Sequence, residues 1–294
     1  MNYRVRHRTV YEYGEPVTVS HHAARLKPRF TSGQQRDEWA LRILPEPAVR
    51  KMRTDYFGNR VCFFSVQELH RRLEIEAESF VRLAFPPSPD PDASPAWEEV
   101  ASALRQPATP ETLEALQFVF ESPHVRPSRE LAALAAPSFP VGRPLLAAMV
   151  DLNHRIHEEF TFDDKATTVA TPIATVLEQK RGVCQDFTHL VLGCLRSMGL
   201  AARYVSGYLR TYRSPGRADL VGADASHAWL SVFCPGHGWV DFDPTNDLMP
   251  RDEHITVAYG RDFADVSPVS GIITGGGEHA VHVAVSVIPV ADAD

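Results

Sequence analysis

Five of the ten residues at positions 86–95 are proline, and the hydrophobic period differs on the two sides of that stretch. Before it, Tyr3, Val5, His7, Thr9, Tyr11 and Tyr13 alternate with Arg4, Arg6, Arg8 and Glu12. Such a period of two builds a strand with one aromatic and β-branched face and one charged face. Gly14-Glu15-Pro16 reads as a turn that ends this strand. Trp39, Leu41 and Ile43 alternate in the same way, and Phe57-Gly58-Asn59 reads as a turn leading into a strand at 61–66. Leu73, Ile75, Ala77, Val81 and Leu83 continue the pattern against Glu74, Glu76, Glu78 and Arg82. Residues 1–85 are therefore expected to form an antiparallel β domain with one wet face.

The prolines themselves read as an exposed linker, extended by a short helix to residue 110. Beyond it the period becomes helical, over 113–120, 130–136, 144–160 and from 171 to just before Arg181. Phe187, Leu190, Val191, Cys194, Leu195 and Met198 then recur at i, i+3, i+4, i+7, i+8 and i+11, one stripe of a helix that Gly199 would close. Strands return at 200–212, 226–233, 239–242 and 281–290. The expected class is α+β, with segments 1–85 (β domain), 86–110 (linker and short helix), 111–260 (a core of central helix on antiparallel sheet) and 261–294 (a C-terminal strand extension).

Cys184 falls on the first turn of the striped helix. Unpaired N–H groups and the helix dipole favour a thiolate there, which makes it a candidate nucleophile. Such a nucleophile needs a base within hydrogen-bond reach, and the base needs a third group to orient it. Pro235-Gly236 folds the strand holding His227 back onto the one holding Asp241 and Asp243. With the turn centred near 236, position 227 lies opposite about 245, so a carboxylate on a strand roughly 4.8 Å away can reach the ring. That register is good to about one residue, so it favours Asp243 over Asp241 only slightly.

The other candidates have blander readings. Cys194 lies on the apolar stripe and reads as core, Cys62 has no partner, and Cys234 beside a turn is expected to be exposed. His189, His7, His21 and His22 read as structural or solvent-facing. Asp186 reads as a cap on the helix, Trp229 and Trp239 as cleft-wall packing, and the direction of the Gln185 side chain is open. Asp163 and Asp164 with Glu158 and Glu159 read as solvated acidic surface rather than a metal site. Neither metal nor cofactor is expected. A net charge of −7 without a basic block speaks against nucleic acid and anionic membranes as partners. With no run of apolar residues long enough to span a bilayer, no visible secretory leader and no C-x-x-C pair, a reducing cytoplasm is the expected setting. Oligomeric state is not encoded in any pattern here.

Gly182-Val183-Cys184-Gln185-Asp186-Phe187, the run Gly199-Leu200-Ala201-Ala202-Arg203-Tyr204-Val205-Ser206-Gly207-Tyr208, Ser226-His227-Ala228-Trp229, and Gly238-Trp239-Val240-Asp241-Phe242-Asp243-Pro244-Thr245-Asn246 together resemble the core of the transglutaminase-like superfamily. Tyr3, His7, Thr9, Tyr11, Tyr13, Pro16-Val17 and Gly58-Asn59 resemble the β domain that precedes this core in its bacterial members. The resemblance implies a papain-like core with Cys184 as nucleophile, His227 as base and Asp243 as orienter, since Asp241 matches a variable position. It implies acyl transfer through a thioester on a peptide or protein amide. Water as acceptor would make a cysteine peptidase or amidase, and an amine would make a transglutaminase. A non-catalytic binding module is the third reading, and the complete triad argues against it.

Overall fold

The structure, a computed structural model, describes residues 1–211 and 226–290; Tyr212, expected at the end of a strand, lies outside them. The chain begins with β1 (Asn2–Ala24), β2 (Gln34–Leu44), β3 (Val49–Thr54), β4 (Arg60–Val66) and β5 (His70–Leu83), paired antiparallel in the order β2-β5-β1-β4-β3. The alternation read from the sequence is the observed one. Tyr3, Val5, His7 and Thr9 are buried, while Arg4, Arg6 and Arg8 meet Glu78, Glu76 and Glu74 on the wet face.

The expected turn at Gly14-Glu15-Pro16 is not there. β1 continues through it, with the register against β5 shifting between Glu12 and Val17. The backbone is held straight from the other end of the chain, where Gly14 N–H donates to Glu278 O at 2.8 Å and Gly276 N–H donates to Pro16 O at 3.2 Å. The feature is a bulge in a long strand, which a local signal does not separate from a turn.

The stretch after β5 carries α1 (Trp97–Arg105), α2 (Pro110–Leu116), α3 (Arg129–Ala135) and α4 (Leu145–Glu159). It is less detached than an exposed linker, because Ser94 is buried and its hydroxyl accepts from Leu146 N–H at 2.9 Å. There follow β6 (Thr161–Phe162), α5 (Ile173–Gln179), β7 (Arg181–Gly182) and α6 (Cys184–Ser197), the helix expected from the apolar stripe. Gly199, at φ 75°, closes α6 as a left-handed residue after its end. The helix is buried all round from Gln185 to Arg196. Even the Arg196 guanidinium is inside, donating to the carbonyls of Phe118 and Ala202 at 3.1 Å and to the Ser122 hydroxyl at 2.9 Å.

A second antiparallel sheet has the order β10-β9-β8-β11, from β8 (Ala202–Leu209), β9 (His227–Cys234), β10 (Gly238–Phe242) and β11 (His254–Gly260). Phe187, Leu190, Val191 and Leu195 of α6 form one core cluster with Tyr204, Leu230, Val232 and Phe242 of this sheet. The fold is thus α+β, with a central helix on an antiparallel sheet. After α7 (Phe263–Val266), β12 (Val269–Gly275) and β13 (His279–Val290) both pair with β1. The C-terminal strands therefore complete the first sheet. Among the described residues no helix is long and apolar enough to cross a membrane.

Two side-chain amides join the sheets. Gln34 donates to Thr256 O and accepts from Thr256 N–H, both at 2.8 Å. Asn59 does the same to Tyr259, at 2.7 and 2.8 Å. Each amide stands in for a missing neighbour strand on the edge of β11. Around them Tyr3, Val5, Val81 and Leu83 pack on Tyr208, Ile255 and Val257.

Candidate active site

Cys184 is the first residue of α6 and only partly buried, the other three cysteines being buried. Its backbone N–H lies in the first turn and has no acceptor within the helix. The entry to the helix is fixed by Asp186, whose carboxylate accepts from Val183 N–H at 2.8 Å and from the Thr167 hydroxyl at 2.6 Å. Asp186 is a cap, as expected. Burial pushes its carboxyl up, and those two hydrogen bonds work against the rise. Gly182 makes room for it, since a Cβ there would fall 2.7 Å from the Asp186 carboxylate.

His227 opens β9. Leu230 pairs with Phe242, so the extrapolated register sets 227 opposite 245. Asp243 itself leaves the strand in a tight turn closed by Asp243 N–H to Leu248 O at 2.9 Å. Its Oδ2 meets His227 Nε2 at 2.8 Å, with both side chains wholly buried. Asp241 is engaged elsewhere, accepting from Trp229 Nε1 at 3.0 Å and from the Ser231 hydroxyl.

A carboxylate can only accept, so Nε2 of His227 carries a proton. The other ring nitrogen, Nδ1, is buried without a hydrogen-bond partner. Cys184 is close enough to act on this ring. Burial works to lower the His227 pKa, but the charges of Asp243 and Cys184 and the hydrogen bond with Asp243 overcome that and raise it to about 10. Burial likewise pushes the Asp243 carboxyl up, and the charges and hydrogen bonds of His227 and His254 more than reverse it, leaving it well below the usual carboxylate range.

The sequence reading did not find His254. It opens β11, a strand that was not expected, and its Nε2 lies 3.0 Å from the same Oδ2 of Asp243. The signal was available in Ile255, Val257 and Tyr259, which alternate along that strand. Asn246 was also missed as a partner: its side-chain amide donates to Oδ2 at 2.8 Å, while Oδ1 accepts the N–H groups of Thr245 and Asn246 at 3.0 and 3.2 Å. From α4, Asn153 donates to Asp243 O and Asp247 Oδ1, each at 3.2 Å. Every lone pair of the Asp243 carboxylate is thereby occupied, which fixes its aim.

The remaining expected residues fall as follows. Trp229 is buried, its ring 6.1 Å from that of His227 and 5.1 Å from that of His254. Trp239 packs on Phe118 and Phe233. The Gln185 amide donates to Val169 O at 3.3 Å. Cys194 is core, its thiol pushed up to about 12 by burial. Cys234, expected to be exposed, is buried with its thiol pushed up to about 11, because it ends β9 inside the core cluster. His189 is buried, stacked on His124 at 5.3 Å, and its Nε2 accepts from Phe263 N–H at 3.2 Å. His7 shares a 2.9 Å hydrogen bond with Thr9, His21 one of 2.6 Å with Ser65, and His22 stacks on Phe64. Glu159 pairs with Arg155 and Lys180, and Asp163 with Arg181, on the surface. His227, Asp243 and His254 do present three metal-ligand atoms within 4.8 Å of one another. The hydrogen bonds among them already satisfy those atoms.

Residues 3–82 match the family model of the bacterial transglutaminase-like N-terminal region, and residues 139–244 that of the transglutaminase-like superfamily. Cys184, His227 and Asp243 lie inside the second match, and His254 lies outside it. An uncharacterised protein of Mycobacterium tuberculosis is 41% identical over 295 residues, covering 98% of this chain and 92% of that one. A protein-glutamine gamma-glutamyltransferase of Pseudomonas aeruginosa is 31% identical over 98 residues, 32% of this chain and 15% of the relative. In a crystal structure from Cytophaga hutchinsonii, a protein named as a candidate cysteine protease has the same fold. It superposes with a TM-score of 0.76 at 19% identity, covering 100% of this chain and 92% of that one.

Proposed function

Because the chain belongs to the transglutaminase-like superfamily, we propose that it is a thiol acyl-transfer enzyme in which Cys184 is the nucleophile, His227 the acid and base, and Asp243 the orienter. We further propose that it is a cysteine peptidase or amidase acting on peptide or isopeptide amides. The observation that carries this reading is the buried 2.8 Å His227–Asp243 pair, with Nδ1 of the same ring left free and Cys184 near enough to raise its pKa.

In the first half-reaction the Cys184 thiol passes its proton to Nδ1 of His227 and the sulfur attacks the amide carbonyl carbon. A C–S bond forms and the carbonyl pair moves onto oxygen, where the Cys184 N–H at the helix tip is a donor for it. The C–N bond then breaks, and Nδ1 of His227 gives its proton to the departing amine. In the second half-reaction Nδ1 takes a proton from water, water attacks the thioester, and Cys184 leaves as thiolate. Asp243 holds the ring with its free nitrogen toward the sulfur and stabilises the imidazolium. His254 and Asn246 act through Asp243 and are positioning residues. The four free cysteines support a reducing compartment, the cytoplasm, as the site of action.

A second reading, in which an amine replaces water as acceptor, rests on the similarity to the Pseudomonas aeruginosa gamma-glutamyltransferase. Incubating the protein with a glutamine-rich protein and a dansylated amine separates the two. Hydrolysis without dye incorporation supports the first reading, and Cys184-dependent incorporation that outpaces hydrolysis overturns it.

A further inference from the structure

Arg203 has no part in the reaction above, yet it stands on the sheet that carries His227. It pairs across β8 and β9 with Ser231, which pairs in turn with Asp241 on β10. These three polar side chains form one row across the sheet, four positions along the strand from His227, or about 13 Å. Asp241 is committed to Trp229 and Ser231. The guanidinium of Arg203 lies 3.6 Å from the Tyr259 ring centre and 4.2 Å from that of Trp239, and Arg29 lies on the same tyrosine at 4.4 Å.

Stacking on rings leaves the N–H groups of a guanidinium unused. Among the described residues Arg203 donates no side-chain hydrogen bond and forms no ion pair, and its Nε is buried without a partner. A cationic donor shut away from water is ordinarily paired, because its desolvation is costly. Burial drags the Arg203 pKa down, and Tyr259, Asp241 and the more distant Glu114 only partly offset this. An anion would satisfy these donors.

There is room for one. Arg203 and Asp241 line a cavity of about 710 Å³ whose walls include Phe30, Phe85, Trp239 and Met249. Its size is that of a small-molecule site, and its lining mixes these apolar side chains with polar ones, among them Arg203, His237, Asp241 and Arg251. We propose that this cavity binds a small organic carboxylate with an apolar body, held by a two-pronged pair between its carboxylate and the Arg203 guanidinium. A planar carboxylate matches the guanidinium fork. The aromatic and apolar walls take the hydrocarbon part.

The test uses full-length protein with Cys184→Ala, so that turnover plays no part and the outcome is independent of the proposed reaction. 3-Phenylpropionate, its neutral amide and inorganic phosphate are titrated separately by calorimetry and by tryptophan fluorescence. The expected result is saturable binding of the acid, at least about tenfold tighter than the amide, the minimum for a charge-assisted pair worth ~1.5 kcal/mol or more. Adding Arg203→Gln is expected to abolish the preference for the acid while circular dichroism is unchanged. Should that variant not fold, the acid-to-amide ratio on the unaltered site decides alone. Equal affinity for acid and amide, no binding of the acid, or tighter binding of phosphate overturns the proposal.

Discussion

Replacing Asp243 by Asn tests the electrostatics of the site with almost no change in volume. The amide oxygen can still accept from the Thr245 and Asn246 N–H groups, so the turn is retained. The charge facing His227 and His254 is removed. In the native protein the His227 pKa is about 10 although burial opposes its charge. Against an ordinary value of about 6.5, that rise is of the order of 5 kcal/mol at 1.36 kcal/mol per unit. Without the Asp243 charge, burial remains and the ring falls to or below about 6.5. The imidazolium beside Cys184 is then largely lost at neutral pH. We expect the alkylation of Cys184 by iodoacetamide at about pH 6.5–7.5 to slow by roughly two to three orders of magnitude, one decade per unit of lost stabilisation. Peptide mass spectrometry reads the site, and the buried Cys62, Cys194 and Cys234 serve as internal controls. Alkylation of a folded Asp243→Asn variant within about threefold of the native rate, a difference of less than 1 kcal/mol, refutes this reasoning.

The same ring gives stability a pH dependence. Its pKa is raised in the folded protein, so its stabilisation is complete below about pH 6.5 and is lost as pH rises toward 10, by up to about 1.4 kcal/mol per unit. Calorimetric melting should therefore fall over that window, and the fall should shrink in His227→Asn; a native Tm that does not drop relative to the variant contradicts it. His254→Phe leaves the Asp243 carboxylate short of one buried donor, and we expect a loss of about 1–3 kcal/mol by urea unfolding together with a lower kcat. Unchanged stability and turnover would remove His254 from the site. Gly182→Ala drives a methyl into the Asp186 carboxylate that caps α6, at an expected cost of about 1–3 kcal/mol with a matching loss of activity. A variant as stable and active as the native protein would show that this close approach is dispensable.

Local periodicity made the helix of the proposed nucleophile readable, because its stripe and its closing Gly199 are properties of adjacent residues. The hairpin from His227 to Phe242 was readable for the same reason, since a short turn fixes register. The choice between Asp241 and Asp243 was not, because it is made by the turn after β10, where Asp243 leaves the strand while Asp241 stays in it and meets Trp229 and Ser231. His254 was hidden for a different reason. β11 pairs with β8, whose residues lie about fifty positions earlier, so no turn links the two strands. The period shows that 281–290 is a strand but not that it runs beside β1 at the opposite end of the chain, where Asn2 pairs with Val290. The bulge at Gly14 looks like a turn in the local sequence because what straightens it, the Gly276 and Glu278 backbone, is equally remote.

The central claim is that Cys184 carries the acyl group between the two half-reactions. Mixing the protein with a peptide aryl ester, quenching in acid within the first turnover and sequencing the labelled peptide by mass spectrometry tests it directly. The expected result is an acyl mass on Cys184, labile to hydroxylamine as a thioester is, and absent in Cys184→Ala. An acyl adduct on another residue, or undiminished turnover by folded Cys184→Ala protein, would contradict the account.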